Sequence, residues 1–278
     1  MASEIRIRAL TAAIGAEVQG VDLREPLSLA AEHSLREALH RHLVLFFRAQ
    51  DLSPREQVAF ARRFGPVGPH PFAKPHPEQI ELTVLDQTTP ETDGTNSWHS
   101  DSTFMPEPPL GSVLHARLLP PLGGDTCWAN MYAAYEALSE PLRELLLRIS
   151  AEHDIGWSLR KSIQGGHSVT TELQELQAKW PPVQHPVVRT HPVTRRRCLY
   201  VNRNFTTRLC GIGEEENDAL LPFLIRQVSR PDFQIRFRWE PGDVAFWDNR
   251  CTQHYAVPDY TGHRRVMHRV MIQGDRPV

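Results

Sequence analysis

Residues 233 to 239 place Phe233, Ile235, Phe237 and Trp239 in alternation with Gln234, Arg236 and Arg238. Successive side chains of an extended chain point to opposite faces, so this run can bury one face and wet the other only as a β-strand. Pro241-Gly242-Asp243 then marks a turn, and the apolar runs Val244–Trp247 and Arg265–Ile272 continue the strand pattern. Earlier in the chain, residues 5–9, Leu43–Phe47, Ile80–Leu85, Val113–Leu118 and Thr126–Ala129 read as strands, the last entered through the turn Gly123-Gly124-Asp125. Val187–Thr190 and Cys198–Val201 flank Arg195-Arg196-Arg197 as two strands around a hairpin turn.

Helices are fewer. Leu35, Ala38, Leu39 and Leu43 follow the 3.6-residue period. Ser53-Pro54-Arg55-Glu56 is a helix start with a capping box, Phe60 and Phe64 share a face of that helix, and Gly65 is expected to close it. Leu138–Ile149 is helical, with Ser139 and Pro141 as start signals, and so is Glu214–Ser229, where Pro222 should kink or restart the helix. Residues 65–78 and Thr88–Ser97 read as loops, and 155–181 have little pattern and fit a mobile insertion compatible with a lid over a site. Many short strands with Gly/Pro turns and a few helices predict a mainly β protein, a jelly-roll or cupin-like barrel with helices packed outside. No linker divides the chain, so residues 1–278 are read as one domain.

Forty per cent apolar and 23% charged residues are ordinary for a globular protein, and a net charge of −2 gives no reason to expect nucleic acid as a partner. Cys127, Cys198, Cys210 and Cys251 form neither a C-x-x-C pair nor a zinc-type spacing, which fits reduced thiols in the cytoplasm. The N-terminal residues contain no apolar core of a secretory signal, and the longest aliphatic-aromatic run, Leu43 to Phe47, is too short to span a bilayer.

The chemistry concentrates in three places. His99-Ser100-Asp101 sets an imidazole and a carboxylate two residues apart, which an extended strand would turn to one face. His254 offers a second imidazole from a distant segment. Two histidines and one carboxylate are the facial triad of non-haem Fe(II) oxygenases, which leaves coordination positions open for oxygen and a cosubstrate. Arg265 and Arg269 follow His254 by 11 and 15 residues and would share one face of a strand. Guanidinium groups grip carboxylates in a planar, two-bond fork, so one arginine suits an acidic cosubstrate and the other an anionic substrate. Arg264 and His263, near the turn, are better candidates for a solvated or structural role. Thr126 could add a hydroxyl donor, His70 in Pro69-His70-Pro71-Phe72 could help bind an anion, and Phe205 and Trp247 could wall the pocket. Trp98, beside the ligand pair, is read as packing.

Trp98-His99-Ser100-Asp101-Ser102-Thr103-Phe104, Gly123-Gly124-Asp125-Thr126-Cys127-Trp128 and Trp247-Asp248-Asn249-Arg250-Cys251-Thr252-Gln253-His254 resemble the taurine dioxygenase branch of the Fe(II)/2-oxoglutarate dioxygenases. Met267-His268-Arg269, Gln273-Gly274-Asp275, Val44–Arg48 and Phe205–Arg208 extend the resemblance over nearly the whole chain, most weakly at 65–97 and 155–182. It implies a double-stranded β-helix, Fe(II) held by His99, Asp101 and His254, and the distal carboxylate of 2-oxoglutarate held by Thr126 and Arg265. It implies that His70 and Arg269 hold the sulfonate of taurine or a related small anion. It also implies O2 as cosubstrate and a homo-oligomer, dimer or tetramer. The implied reaction couples decarboxylation of 2-oxoglutarate to succinate and CO2 with hydroxylation next to sulfur, after which sulfite and an aldehyde are released. Four positions depart from the taurine pattern: Ala73 for a tyrosine, Thr95 for an asparagine, Ser102 for a valine and Leu159 for a phenylalanine. The first two bear on the amine end of taurine, and Ala73 and Leu159 open room for longer alkyl chains. Two other readings are therefore kept: a dioxygenase of alkyl sulfate esters or another small anion, and a non-enzymatic cupin-like binding protein.

Overall fold

A computed structural model of the chain describes residues 5–71, 73–88, 96–156 and 170–278. Its main sheet has eight strands: β1 (Arg6–Ala9), β2 (Ala16–Gln19), β3 (Val44–Phe47), β4 (Pro75–His76), β5 (Gln79–Gln87), β6 (Gly111–Leu118), β14 (Val244–Asp248) and β16 (Arg265–Ile272). They lie in the order β1-β2-β3-β14-β6-β16-β5-β4. A second sheet sets β7 (Thr126–Asn130) between β13 (Gln234–Phe237) and β15 (Thr252–Ala256). Among the described residues two further small sheets complete the strands, one of β8 (Ser150–His153), β9 (Val183–Pro186) and β12 (Thr206–Cys210), the other the hairpin β10 (Val188–Thr190) and β11 (Arg197–Leu199). The expected hairpin at Arg195–Arg197 is thus present, and Arg195 takes a left-handed φ of 59° in its turn.

The alternation at 233–239 buries Phe233, Ile235, Phe237 and Trp239 as it predicts, but the strand itself is shorter, Gln234–Phe237, with Phe233 in a 3-10 turn before it and Trp239 beyond its end. Phe237 stacks on Phe46 at 4.0 Å between ring centroids, joining the small sheet to the large one. The continuous apolar run at β3 has a different cause, because the main sheet is covered on both faces. Val44 and Phe46 face the space between the sheets, with Trp128, Trp247 and Met267. Leu45 and Phe47 face the helices α1 (Leu29–His42) and α2 (Pro54–Arg62), packing with Leu35, Leu39, Phe60 and Phe246. Burying an aliphatic or aromatic side chain fully contributes about 1.5–3 kcal/mol, so both faces favour this register.

The capping box is formed: the Glu56 amide donates to Ser53 Oγ, and the Ser53 amide donates to the Glu56 carboxylate at 2.7 Å. Two helix ends differ from expectation. Leu43 does not extend α1 but closes it in the left-handed region at φ 66°, a conformation held by burying its side chain. Gly65 is not the left-handed cap of α2, which ends at Arg62 with Arg63 as its cap. A Cβ at Gly65 would lie 2.8 Å from Ile272, so this glycine serves a close approach to β16.

The segment 138–149 contains α4 (Glu140–Leu146), preceded by the short helix α3 (Met131–Glu136). Within the segment read as unpatterned, Thr170–Lys179 is a helix, α5, and residues 157–169 lie outside the described residues. Pro222 does not break its helix: α6 (Glu214–Arg226) runs through it and ends in a single 3-10 turn. Its ring removes only the bond to the carbonyl of Asp218, and both residues are exposed, so water can satisfy that oxygen. No helix among the described residues is long and apolar enough to cross a membrane.

Candidate active site

His99 is not on a regular strand. It makes one antiparallel bridge to His254 of β15, with amide-to-carbonyl bonds of 3.0 and 2.8 Å in the two directions. Side chains of such a directly opposed pair lie next to each other, and the two imidazole rings are 4.2 Å apart. The chain then turns instead of remaining extended: Asp101 begins a turn through Phe104, and Ser102 has a φ of 52°. A β-branched residue is costly at positive φ, which makes serine a natural occupant there. The expected convergence of His99 and Asp101 is therefore achieved by a bridge and a turn. The Asp101 Oδ1 lies 3.8 Å from His99 Nε2 and 3.7 Å from His254 Nε2.

All three side chains are buried, and their donor atoms lie within 4.8 Å of one another. His99 Nδ1 donates to the carbonyl of Ser97 at 2.7 Å, which places its lone pair on Nε2, toward Asp101. Two ligands in adjacent octahedral positions about 2.1 Å from a common ion lie about 3.0 Å apart, so these separations would close by about 0.7–0.8 Å around a metal. Two imidazoles and one carboxylate, aimed at one point, suit Fe(II).

Asp101 is fixed through its backbone as well. Its amide donates to Asn249 Oδ1 at 2.7 Å, while Asn249 Nδ2 donates to the Asp101 carbonyl at 3.0 Å and to that of Pro109 at 3.2 Å. Ser112 Oγ donates to Asp101 Oδ2 at 3.1 Å. Sequence reasoning assigned no role to Asn249, Ser112 or Ser97. Asn249 stood inside a quoted motif, but nothing local marks a serine on β6 as facing a carboxylate from another segment.

The two arginines share the inner face of β16, as their spacing predicts, and both are buried. They do different things. Arg265 Nε donates to the Gly124 carbonyl at 3.1 Å and its Nη2 to Thr126 Oγ1 at 3.4 Å, and Trp239 Nε1 also donates to that hydroxyl. Gly124 has a φ of 71°, and a Cβ there would come 3.1 Å from Arg265 Cδ, so this turn requires glycine twice over. Arg269 instead donates to Asp101 Oδ1 at 3.0 Å, and its buried Nε has no partner among the described residues. Arg264, the expected structural arginine, pairs with Asp86 at the surface.

Burial raises the pKa of the Asp101 carboxyl, but Arg269, His254, His99 and His70 together hold it well below the usual carboxylate range. Burial, with His99 and Arg269 adding to it, pushes His254 down to about 3. His70 is pushed down to about 3 by burial and then by the Arg269 charge, so His70 lies near the same site. Its Nδ1 accepts from the Ala73 amide at 3.0 Å, so the backbone of that departure position orients the ring. Thr95 and Leu159 lie outside the described residues. Phe205 is buried against Phe104, at 5.2 Å, in a cluster with Ile155 on which Met105 and Trp180 pack. Trp247 lies 5.0 Å from the His254 ring, and Trp98 stacks on Tyr255.

A second buried group, His191, Asp248 and Cys251, also brings ligand-type atoms together. Its donors are already engaged. Asp248 accepts two bonds from Arg250, at 2.9 and 2.6 Å, and one from His191 Nε2 at 3.0 Å. His191 Nδ1 accepts from the amides of Val193 and Thr194. This is an ion-pair network that braces the turn carrying Asn249.

The family "Taurine catabolism dioxygenase TauD, TfdA family" matches residues 6–271. The chain belongs to this family. It is an Fe(II)/2-oxoglutarate-dependent dioxygenase with a jelly-roll fold. The chain is 37% identical over 281 residues to an alpha-ketoglutarate-dependent sulfate ester dioxygenase of Pseudomonas putida, covering 100% of this chain and 92% of that one. It is 35% identical to an alkylsulfatase of Acinetobacter baylyi, covering 98% and 86%. A taurine dioxygenase structure from Burkholderia xenovorans superposes with a TM-score of 0.84 at 36% identity, covering 99% of this chain and 91% of the other. Alpha-ketoglutarate is 2-oxoglutarate, so the TauD/TfdA assignment carries Fe(II), that cosubstrate and O2 with it, and the His99-Asp101-His254 constellation provides the donor set.

Proposed function

We propose that the chain, acting as one domain over residues 1–278, oxygenates the carbon that bears the sulfonate or sulfate group of a small organic anion. In this reading His99, Asp101 and His254 hold Fe(II), which supplies the oxygen chemistry when bound. Arg265 and Thr126 hold the distal carboxylate of 2-oxoglutarate, and Arg269 with His70 holds the substrate anion. The names of the relatives, a sulfate ester dioxygenase, an alkylsulfatase and a taurine dioxygenase, support the substrate class.

One observation carries the reading: the Arg269 guanidinium is buried, touches Asp101, and keeps a buried Nε without a partner among the described residues. Once Asp101 serves a metal, its charge is shared, and a buried cation needs an anion close by. A sulfonate or sulfate oxygen between Arg269 and His70 would meet that need and set the neighbouring carbon toward the metal ligands. Hydroxylation there releases sulfite from a sulfonate or sulfate from a sulfate ester, with an aldehyde in each case.

Taurine is the first substrate of this kind to consider. Alkyl sulfate esters form the second reading, and Ala73 favours them, because its methyl group offers nothing to an ammonium. Succinate formation, followed with sulfite release from taurine and sulfate release from hexyl sulfate, tests both. Turnover coupled to 2-oxoglutarate is expected with at least one; coupling with neither would sink the reading.

A further inference from the structure

Three segments that reach the anion end of the site run on into one open cleft. His70 lies between Pro69 and Pro71. Asp101 opens the turn whose last bond, from the Met105 amide to the Ser102 carbonyl, delivers Met105 and the prolines after it. Arg269 is followed on the same face of β16 by Met271, which pairs in register with Ser112, the residue bonded to Asp101. Pro71, Met105, Pro109, Met271 and Trp180 are all walls of that cleft, whose volume is about 410 Å³. Among the described residues its one charged wall residue is the exposed Glu107, and none of the others is cationic. Trp180 is held edge-on to Phe104 at 6.0 Å, so this wall is anchored on the Phe104, Ile155 and Phe205 cluster.

We propose that this cleft takes the uncharged tail of the substrate, so that the enzyme prefers an alkyl sulfate or sulfonate of six or more carbons to taurine. The inference rests on Arg269 as the anion site. With the head group fixed between Arg269 and His70, the chain beyond the reacting carbon leaves along Met271 and Met105 toward Trp180. A tail ending in a carboxylate would meet Glu107 and no partner.

Binding and turnover separate this inference from the head-group reading. Dissociation constants for ethyl, butyl, hexyl and octyl sulfate are measured anaerobically by calorimetry on the enzyme loaded with Fe(II) and 2-oxoglutarate, and sulfate release is measured in air. The expected result is tighter binding by about fourfold per added methylene, the equivalent of about 0.8 kcal/mol, until the cleft is filled. Trp180→Ala should lower that gain per methylene. Glu107→Lys, an exposed change that the fold tolerates, should raise kcat/KM for a carboxyl-ended hexyl sulfate relative to hexyl sulfate at least tenfold. Turnover with affinities that ignore chain length would overturn the cleft and leave the head-group reading intact. Chain-dependent binding without sulfate release would leave the cleft standing and remove that reading. Absence of binding across the series would overturn both.

Discussion

At the level of single residues the two arginines of β16 are the sharpest test of the site. Arg265→Ala removes the donors beside Thr126, and Arg269→Ala removes the cation beside Asp101. A hydrogen bond to a charged group contributes about 1.5–3 kcal/mol, or about 10- to 150-fold in affinity. Losses of that size are expected in the KM for 2-oxoglutarate with the first variant and for the sulfur-bearing substrate with the second. Exchanged effects would show that the assignments are reversed. Asn249→Ala is the counterpart for a residue that touches no reacting atom. It strips Asp101 of both backbone partners, and Fe(II) should bind about 10–100-fold more weakly, in an anaerobic metal titration, with the fold intact by circular dichroism. Unchanged iron affinity would mean that the turn holds Asp101 without it. His99, Asp101, His254 and both arginines were legible as residue types at telling intervals. Asn249 and Ser112 were not, because their partner lies 148 and 11 residues away and only the folded chain shows which way it faces.

Among elements, the strands were read more securely than the helix ends. Alternation at 233–239 and the apolar run at 44–47 are direct consequences of one-sided and two-sided burial. The capping box at Ser53 was equally plain, since its two bonds are local. Helix termination was misread where tertiary packing decides it: burial holds Leu43 in the left-handed region, and Gly65 serves contact with Ile272. Pro222 follows the same logic in reverse, because an exposed helix face tolerates an unpaired carbonyl. Pro222→Ala should therefore stabilise the protein by up to about 3 kcal/mol, visible as a rise of several degrees in Tm by calorimetry. A fall in Tm would mean that the proline ring makes packing contacts that outweigh the lost bond. The His99-Ser100-Asp101 motif is the instructive case. Its side chains converge as expected but its conformation differs, because a bridge plus a turn brings two side chains to one point as well as a strand does.

For the molecule as a whole, several histidines are buried where charging them is disfavoured. Burial pushes His115 and His185 down to about 4, and His254 down to about 3. In the unfolded chain each would titrate near 6.5. Between those values the unfolded state binds protons that the folded state does not, so stability falls as pH falls from about 7 toward 4. Each such histidine contributes a slope of about 1.4 kcal/mol per pH unit in that window. Tm of the metal-free protein should therefore decline steadily from pH 7 to pH 4.5; a flat profile would show that these rings accept protons in place. The sequence alone determined the secondary-structure class, the jelly-roll expectation, the candidate ligand types and the spacing that turns both arginines of β16 to one face, since these depend on local periodicity and on the chemistry of single side chains. Tertiary structure decided which arginine meets Thr126 and which meets Asp101, which amide clamps the carboxylate, and that the segments around His70, Asp101 and Arg269 continue into one cleft. Those are distances between parts of the chain far apart in sequence, and only packing of the two sheets sets them.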